Sequence, residues 1–281
     1  MSDRSDAASG TRLPDQSIVA CDIRIGTSGW HYRHWLGTFY PDDLPANRML
    51  GYYLERFDTV ELNNSFYHLP SEGALDQWRE TVPDDFLFAA KGSRFLTHMK
   101  KLKDPEPGVA RFFERIDRLR PKLGPVLFQL PPRWRANPER LDEFLRVLPR
   151  GHRYSFELRD PSWLVPEIYD VLRKHGAAYC IYELAGFVSP FELTAPFTYV
   201  RLHGPGGKYQ GSYDHSALRW WSRKIREWSK SLDGVYLYFD NDEAGFAARD
   251  ALRLRELVGI GSPSRGDRKN EREARDERRT S

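Results

Sequence analysis

Eight short apolar runs recur along the middle of this 281-residue chain, most of them separated by a stretch of helical periodicity. That alternation constrains the fold more than any other feature. The runs occupy residues 23–27, 59–63, 86–91, 125–130, 153–159, 178–183, 197–203 and 234–240. Helical spacing fills 49–57, 72–82, 108–122, 138–148, 166–175, 216–232 and 243–258. Strands that alternate with helices predict βαβ units and a parallel sheet. One gap differs: LAGFVSPFELTAP after Glu183 is broken by two prolines and predicts no full helix. An open, doubly wound sheet normally carries a Gly-rich phosphate loop after its first strand, and GTSGW is not such a loop. The expected fold is therefore α/β, a single (β/α)8 TIM barrel over residues 23–259, close to the ~250 residues typical of that architecture.

Outside that span there is little to bury. Residues 1–22 are polar and patternless, and 260–281 end in GDRKNEREARDERRTS; both are expected to be disordered arms. The N-terminal stretch has no apolar h-region, so no secretory signal is expected. No apolar run approaches a membrane span. Cys21 and Cys180 are too far apart in sequence to suggest a disulfide framework or metal knuckle, and a cytoplasmic protein is the simplest expectation. A net charge of +3 is too small to argue by itself for nucleic acid as the partner.

Function is read from the strand ends. Glu61 and Asn63, Lys91, Gln129, Glu157 and Arg159, Glu183, Arg201 and His203, and Asp240 close seven of the eight runs. Side chains alternate across a strand, so within each run these polar residues oppose the apolar ones. In a barrel the apolar parity packs on the helices and the polar parity points to the axis, at the C-terminal face where barrel enzymes keep their sites. A ring of mutual ion pairs closing the barrel top is the plain structural alternative. The loops that follow add Arg94, His98, Lys100, Lys101 and Lys103, then Arg133 and Arg135, then Lys208, Tyr209 and Tyr213 in GPGGKYQGSYD. They predict a positive mouth that attracts phosphate or carboxylate. Trp30, Phe66, Tyr67, Trp134 and Trp163 follow strand ends, either as core or as stacking platforms.

The segments IGTSGW, ELNNSFY, KGSRFLTH, FQLPPRW, FELRDPSW, RLHG with the later Tyr213, and YFDNDEAGFAARDA occur in one order over residues 23–258. In this the chain resembles the YecE-like family, domain of unknown function 72. The resemblance implies a (β/α) barrel and supplies no reaction. That family is in turn distantly similar to barrel enzymes of the apurinic endonuclease and xylose isomerase type. This implies Glu61, Glu157, Glu183, His203 and Asp240 as metal ligands, a role that Lys91, Arg159 and Arg201 in the same mouth oppose.

The leading expectation is an enzyme for a small phosphorylated or carboxylated substrate, with no cofactor. Glu61, Glu157 and His203 are its catalytic candidates. Asn63, Tyr67, Lys91, Gln129, Arg159, Arg201, Asp240 and Asn241 are its substrate-binding candidates. The alternatives are a nucleic-acid enzyme of endonuclease type holding a divalent metal, and a non-catalytic ligand-binding protein. Paired carboxylates also admit glycoside hydrolysis.

Overall fold

The computed structural model describes residues 20–261 and Pro263. The arms expected at 1–22 and 260–281 fall almost wholly outside these residues. Eight parallel strands form the sheet: β1 (Asp22–Thr27), β2 (Thr59–Leu62), β3 (Leu87–Lys91), β4 (Leu123–Leu130), β5 (Tyr154–Leu158), β6 (Ala178–Leu184), β7 (Phe197–Leu202) and β8 (Gly234–Phe239). Their pairing follows chain order from β2 to β8, and β8 pairs with β1 from Asp22↔Gly234 to Thr27↔Phe239. The remaining seam, β1 against β2, is bridged only at Ser28↔Glu61. The result is a nearly closed barrel, as the alternation predicts.

Seven helices cover it: α1 (Met49–Leu54), α2 (Glu72–Thr81), α3 (Glu106–Ile116), α4 (Pro138–Val147), α5 (Pro166–Lys174), α6 (His215–Trp228) and α7 (Phe246–Val258). Their starts are written in the sequence. Ser71, Asn137 and Asp214 accept the backbone N–H three residues on, from Ala74, Arg140 and Ala217, and so satisfy orphan donors at the N-termini of α2, α4 and α6. No helix joins β6 to β7. Ala185 and Gly186, both at positive φ, turn the chain into a two-residue strand, Phe187–Val188, antiparallel to the end of β6. No helix of the described residues is long and apolar enough to cross a membrane.

Two cores result from the strand alternation. Ile25, Val60, Leu62, Phe88, Val126, Phe128, Phe156, Val200, Leu237 and Phe239 face outward into the layer shared with the helices. Inside the barrel lie Ala89, Leu127, Ala178, Cys180, Phe197, Tyr199, Tyr236 and Tyr238. This lower plug is rich in tyrosine, and its hydroxyls are partnered. Tyr238 Oη lies 2.8 Å from Thr59 Oγ1, and Tyr199 donates to Glu61 Oε2 at 2.7 Å. Ring bulk fills the lower barrel, and the Tyr199 phenol reaches the polar layer above while that of Tyr236 meets Asp22 and Arg153 at the opposite end.

The seam depends on Gly26. A Cβ there would lie 2.5 Å from the Thr59 carbonyl oxygen, so only glycine lets β1 approach β2 this closely. Gly26→Ala is expected to destabilise the fold by about 1–3 kcal/mol, the usual range for overpacking, read as a lower denaturation midpoint. An unchanged midpoint would show that the seam can open without cost.

Candidate functional site

Arg201, next to last in β7, sits at the centre of the barrel mouth and is fully buried. Carboxylates from β2, β5 and the end of β8 surround its guanidinium. Nη2 donates to Glu61 Oε1 at 2.8 Å and to Asp240 Oδ2 at 2.9 Å, and Nη1 donates to Glu157 Oε2 at 2.9 Å. Ser28 Oγ, 3.1 Å from Nη2, also donates to Glu61 Oε1 in a very short contact. Arg159, one residue beyond β5, donates from Nε to Glu157 Oε1 and from Nη2 to His203 Nε2, the latter at 2.8 Å. Arginine can only donate, so His203 Nε2 accepts and the ring proton stands on Nδ1. That Nδ1 lies 3.0 Å from Asp240 Oδ2 but off the line of a hydrogen bond.

The electrostatics follow from this geometry. Burial alone would raise the Glu157 carboxyl, yet Arg159 and Arg201 outweigh it and hold it well below the ordinary range. Asp240 is treated the same way: burial pushes it up, Arg201 and Lys91 pull it down, to about 2. Arg159 and Arg201 are raised, their carboxylate partners overcoming the cost of burial. Lys91 moves the other way. Burial and then Arg201 lower its amine to about 8, against the opposing pull of Glu61, Asp240 and Glu157.

Most of the residues expected at the mouth do meet there: Glu61, Lys91, Glu157, Arg159, Arg201, His203 and Asp240 form one buried group. Glu183 does not. In β6 the interior parity belongs to Ala178 and Cys180, and Tyr182 stacks under Arg159, whose Cζ is 4.7 Å from its ring centroid. Glu183 points outward and accepts from Trp221 Nε1 of α6 at 3.1 Å; burial raises its carboxyl. The apolar appearance of Cys180 and Tyr182 suggested the opposite parity, but this barrel's interior is itself lined with such residues.

The other candidates are placed more widely. Gln129, paired across to Glu157, lines a cavity of about 410 Å3 at the mouth with Arg159, Tyr182, Phe187, Lys208 and Tyr209. Its Oε1 is buried without a hydrogen-bond partner. Asn63 lines a separate cavity of about 610 Å3 beside the seam, with Trp30, Tyr32, Asn47 and Trp78. Tyr67 is 68% exposed on the rim and lines neither cavity. Trp30, Phe66, Trp134 and Trp163, the other post-strand aromatics, are all buried as packing.

Asn241 is tied down: its Nδ2 donates to the Gly211 carbonyl and to Asp250 Oδ2 of α7. Asp250, unnoticed in the sequence because it sits inside a helical pattern, also accepts from Ser212 Oγ and the Tyr213 amide. Together they pin the Gly-rich loop after β7, and Tyr209 of that loop packs edge-on to His203 at 5.4 Å. Arg94, Lys100, Lys101, Lys103, Arg133, Arg135 and Lys208 are exposed on the loops around the mouth.

A metal has no ready seat here. Among the described residues no group of three or more His, Cys, Asp or Glu is arranged to hold an ion. Glu61, Glu157 and Asp240 instead converge on Arg201, which takes the central position a cation would need.

The model for the family described as "Protein of unknown function DUF72" matches residues 24–274. The chain belongs to the DUF72 family. Its relatives include UPF0759 protein YunF of Bacillus subtilis, 26% identical over 85% of this chain and 95% of that protein. UPF0759 protein YecE of Escherichia coli is 30% identical over half of each chain. A crystal structure of a DUF72 family protein from Thermotoga maritima superposes with a TM-score of 0.77 at 28% identity, covering 85% of this chain and 99% of that one. A second, from Enterococcus faecalis, has a TM-score of 0.72 at 19% identity, over 86% and 100% of the two chains, and supports the fold alone. The expected YecE-like membership and barrel fold are thus borne out for this DUF72 chain.

Two predictions follow from the ion cluster. Arg201→Met leaves three buried carboxylates facing one another and is expected to cost about 3–5 kcal/mol, seen in denaturant unfolding. A loss under ~1 kcal/mol would mean that the cluster is not held by this guanidinium. The second concerns acid. Asp240 and Glu157 have folded-state values below their unfolded ones, so their stabilisation is complete above the unfolded range and lost as pH falls through the folded values. Melting temperature should drop between about pH 4 and pH 2, Asp240 alone contributing on the order of 2 kcal/mol, and Asp240→Asn should flatten that drop.

Proposed function

We propose that this chain is an enzyme for a small anionic substrate, phosphorylated or carboxylated, bound in the mouth cavity beside the ion cluster. The observation that carries this reading is the position of Arg159. Its guanidinium lines the 410 Å3 cavity while Glu157 and His203 fix it from behind. Lys208 lines the same cavity, and Gln129 Oε1 lacks a protein partner. A preorganised arginine can add charge-assisted hydrogen bonds to an anion without losing much side-chain entropy. Tyr182, Tyr209 and Phe187 supply the apolar walls that such a pocket needs.

Arg201 is a different kind of cation. Its charge is spent on Glu61, Glu157 and Asp240, so in this reading it shapes the site and does not hold the substrate. Glu61 and Glu157 likewise act by position: both are fully buried and hydrogen-bonded, and the flanking guanidiniums keep the Glu157 carboxyl low.

The test is binding of a panel of phosphorylated and carboxylated metabolites, each against its uncharged analogue, by calorimetry. Charged members should bind, and Arg159→Met and Lys208→Ala should each weaken them about tenfold or more, the value of a charge-assisted bond. Equal binding of charged and uncharged members, indifferent to both substitutions, would sink the reading.

A further inference from the structure

Lys91 is the one cation of the mouth group that the carboxylates leave aside. It ends β3 with its side chain on the interior parity of Ala89, and it is 6% exposed. Among the described residues no carboxylate oxygen lies within 4.0 Å of Nζ, and no acceptor takes a hydrogen bond from it. Its contact is the face of Phe66, with Nζ 4.4 Å from the ring centroid. Glu61, Glu157 and Asp240 stand in the same mouth but are already engaged by Arg201, Arg159, Ser28 and Tyr199.

A lysine kept as a structural cation would be expected to sit against one of those carboxylates. A lysine kept for packing would gain nothing from its amine. Burial favours the uncharged amine and the neighbouring Arg201 charge acts in the same direction, together outweighing the pull of Glu61, Asp240 and Glu157, none of which touches Nζ. His98 packs edge-on to Phe66 at 5.0 Å, and burial, Arg94 and Lys91 keep its imidazole uncharged down to about pH 4. Its Nδ1 is 2.9 Å from Thr97 Oγ1.

We propose that Lys91 is a nucleophilic amine that forms an imine with the carbonyl carbon of a substrate that also carries a carboxylate or phosphate. The proposal rests on the anion reading above, with Arg159 and Lys208 taking the charged end. The Nζ lone pair attacks the carbonyl carbon, a C–N bond forms, and the carbonyl π pair moves to oxygen, which takes up a proton. Nζ gives up its two protons in turn, the carbinolamine oxygen takes up a second proton and leaves as water, and a C=N bond remains. Amine and carbonyl become imine and water with no change of oxidation state.

The experiment is reductive trapping on the full chain. The protein is incubated with pyruvate, with dihydroxyacetone phosphate, and with uncharged hydroxyacetone, each with cyanoborohydride, and adducts are mapped by peptide mass spectrometry. With either charged probe, Lys91 should be modified about tenfold above the exposed lysines, and the excess should vanish in Lys91→Met. No enrichment at Lys91 with any probe overturns the proposal. If the charged probes bind in calorimetry but none is trapped, the imine fails and the anion reading stands. Enrichment that is as strong with hydroxyacetone supports the imine and removes the anion reading. Trace acetylation of the unaltered protein across pH guards against a variant that fails to fold. Lys91 should reach half its limiting reactivity near pH 8, and half-reactivity in the ordinary lysine range, near ~10.4, would overturn the proposal independently.

Discussion

The carboxylates of the mouth converge on the guanidinium of Arg201. Placing one cation and three carboxylates out of water is costly, and only close, well-aligned bonds recover that cost. The planar fork of arginine meets this demand, because two terminal nitrogens reach Glu61, Glu157 and Asp240 at once, on carboxylates from three different strands. A lysine has one point of charge and could not span them. The contact also joins both sides of the loosely paired seam, because Ser28 follows β1 and Glu61 belongs to β2. Closure of the barrel and assembly of the mouth thus share one contact.

That arrangement divides the remaining cations by role. Arg159 shares Glu157 with Arg201, so it is held in place yet keeps an edge on the cavity. Lys91 is repelled by Arg201 and drawn by Glu61, Asp240 and Glu157 without touching any of them, and burial tips it towards the uncharged form. Arg201 pushes both cations down, but contact with Glu157 leaves Arg159 raised while Lys91 ends lowered, the kind of divergence that functional sites gather. The bland alternative of a self-neutralising ring accounts for Arg201 well. It accounts poorly for Lys91, and it leaves the buried, unpartnered oxygen of Gln129 unexplained.

The fold was legible because its signal is repeated. Eight strands and seven helices each carry a period, and errors at single ends do not disturb the count. The converging strand ends were legible for the same reason, since parity within β2, β5, β7 and β8 follows from alternation alone. What alternation does not carry is which parity faces inward when both look apolar. Cys180 and Tyr182 look like helix-facing core, and this misplaced Glu183. Ser28 and Asp250 were missed for other reasons: the first lies past the end of its strand, and the second is one acid among many on an amphipathic helix. Their importance comes from partners far away in sequence, Glu61 for one and Asn241 for the other.

The tyrosine layer beneath the mouth links the fold to the chemistry. An aliphatic plug would fill the barrel as well but would end in a dry surface under Glu61. Tyr199 instead donates to Glu61 Oε2, leaving the opposite oxygen for Ser28 and Arg201. The carboxylate is therefore satisfied from below by a neutral donor and from above by a charged one. A phenol stabilises the carboxylate without adding a positive charge, so Arg201 remains the one cation in contact with Glu61 and its second terminal nitrogen stays free to reach Glu157.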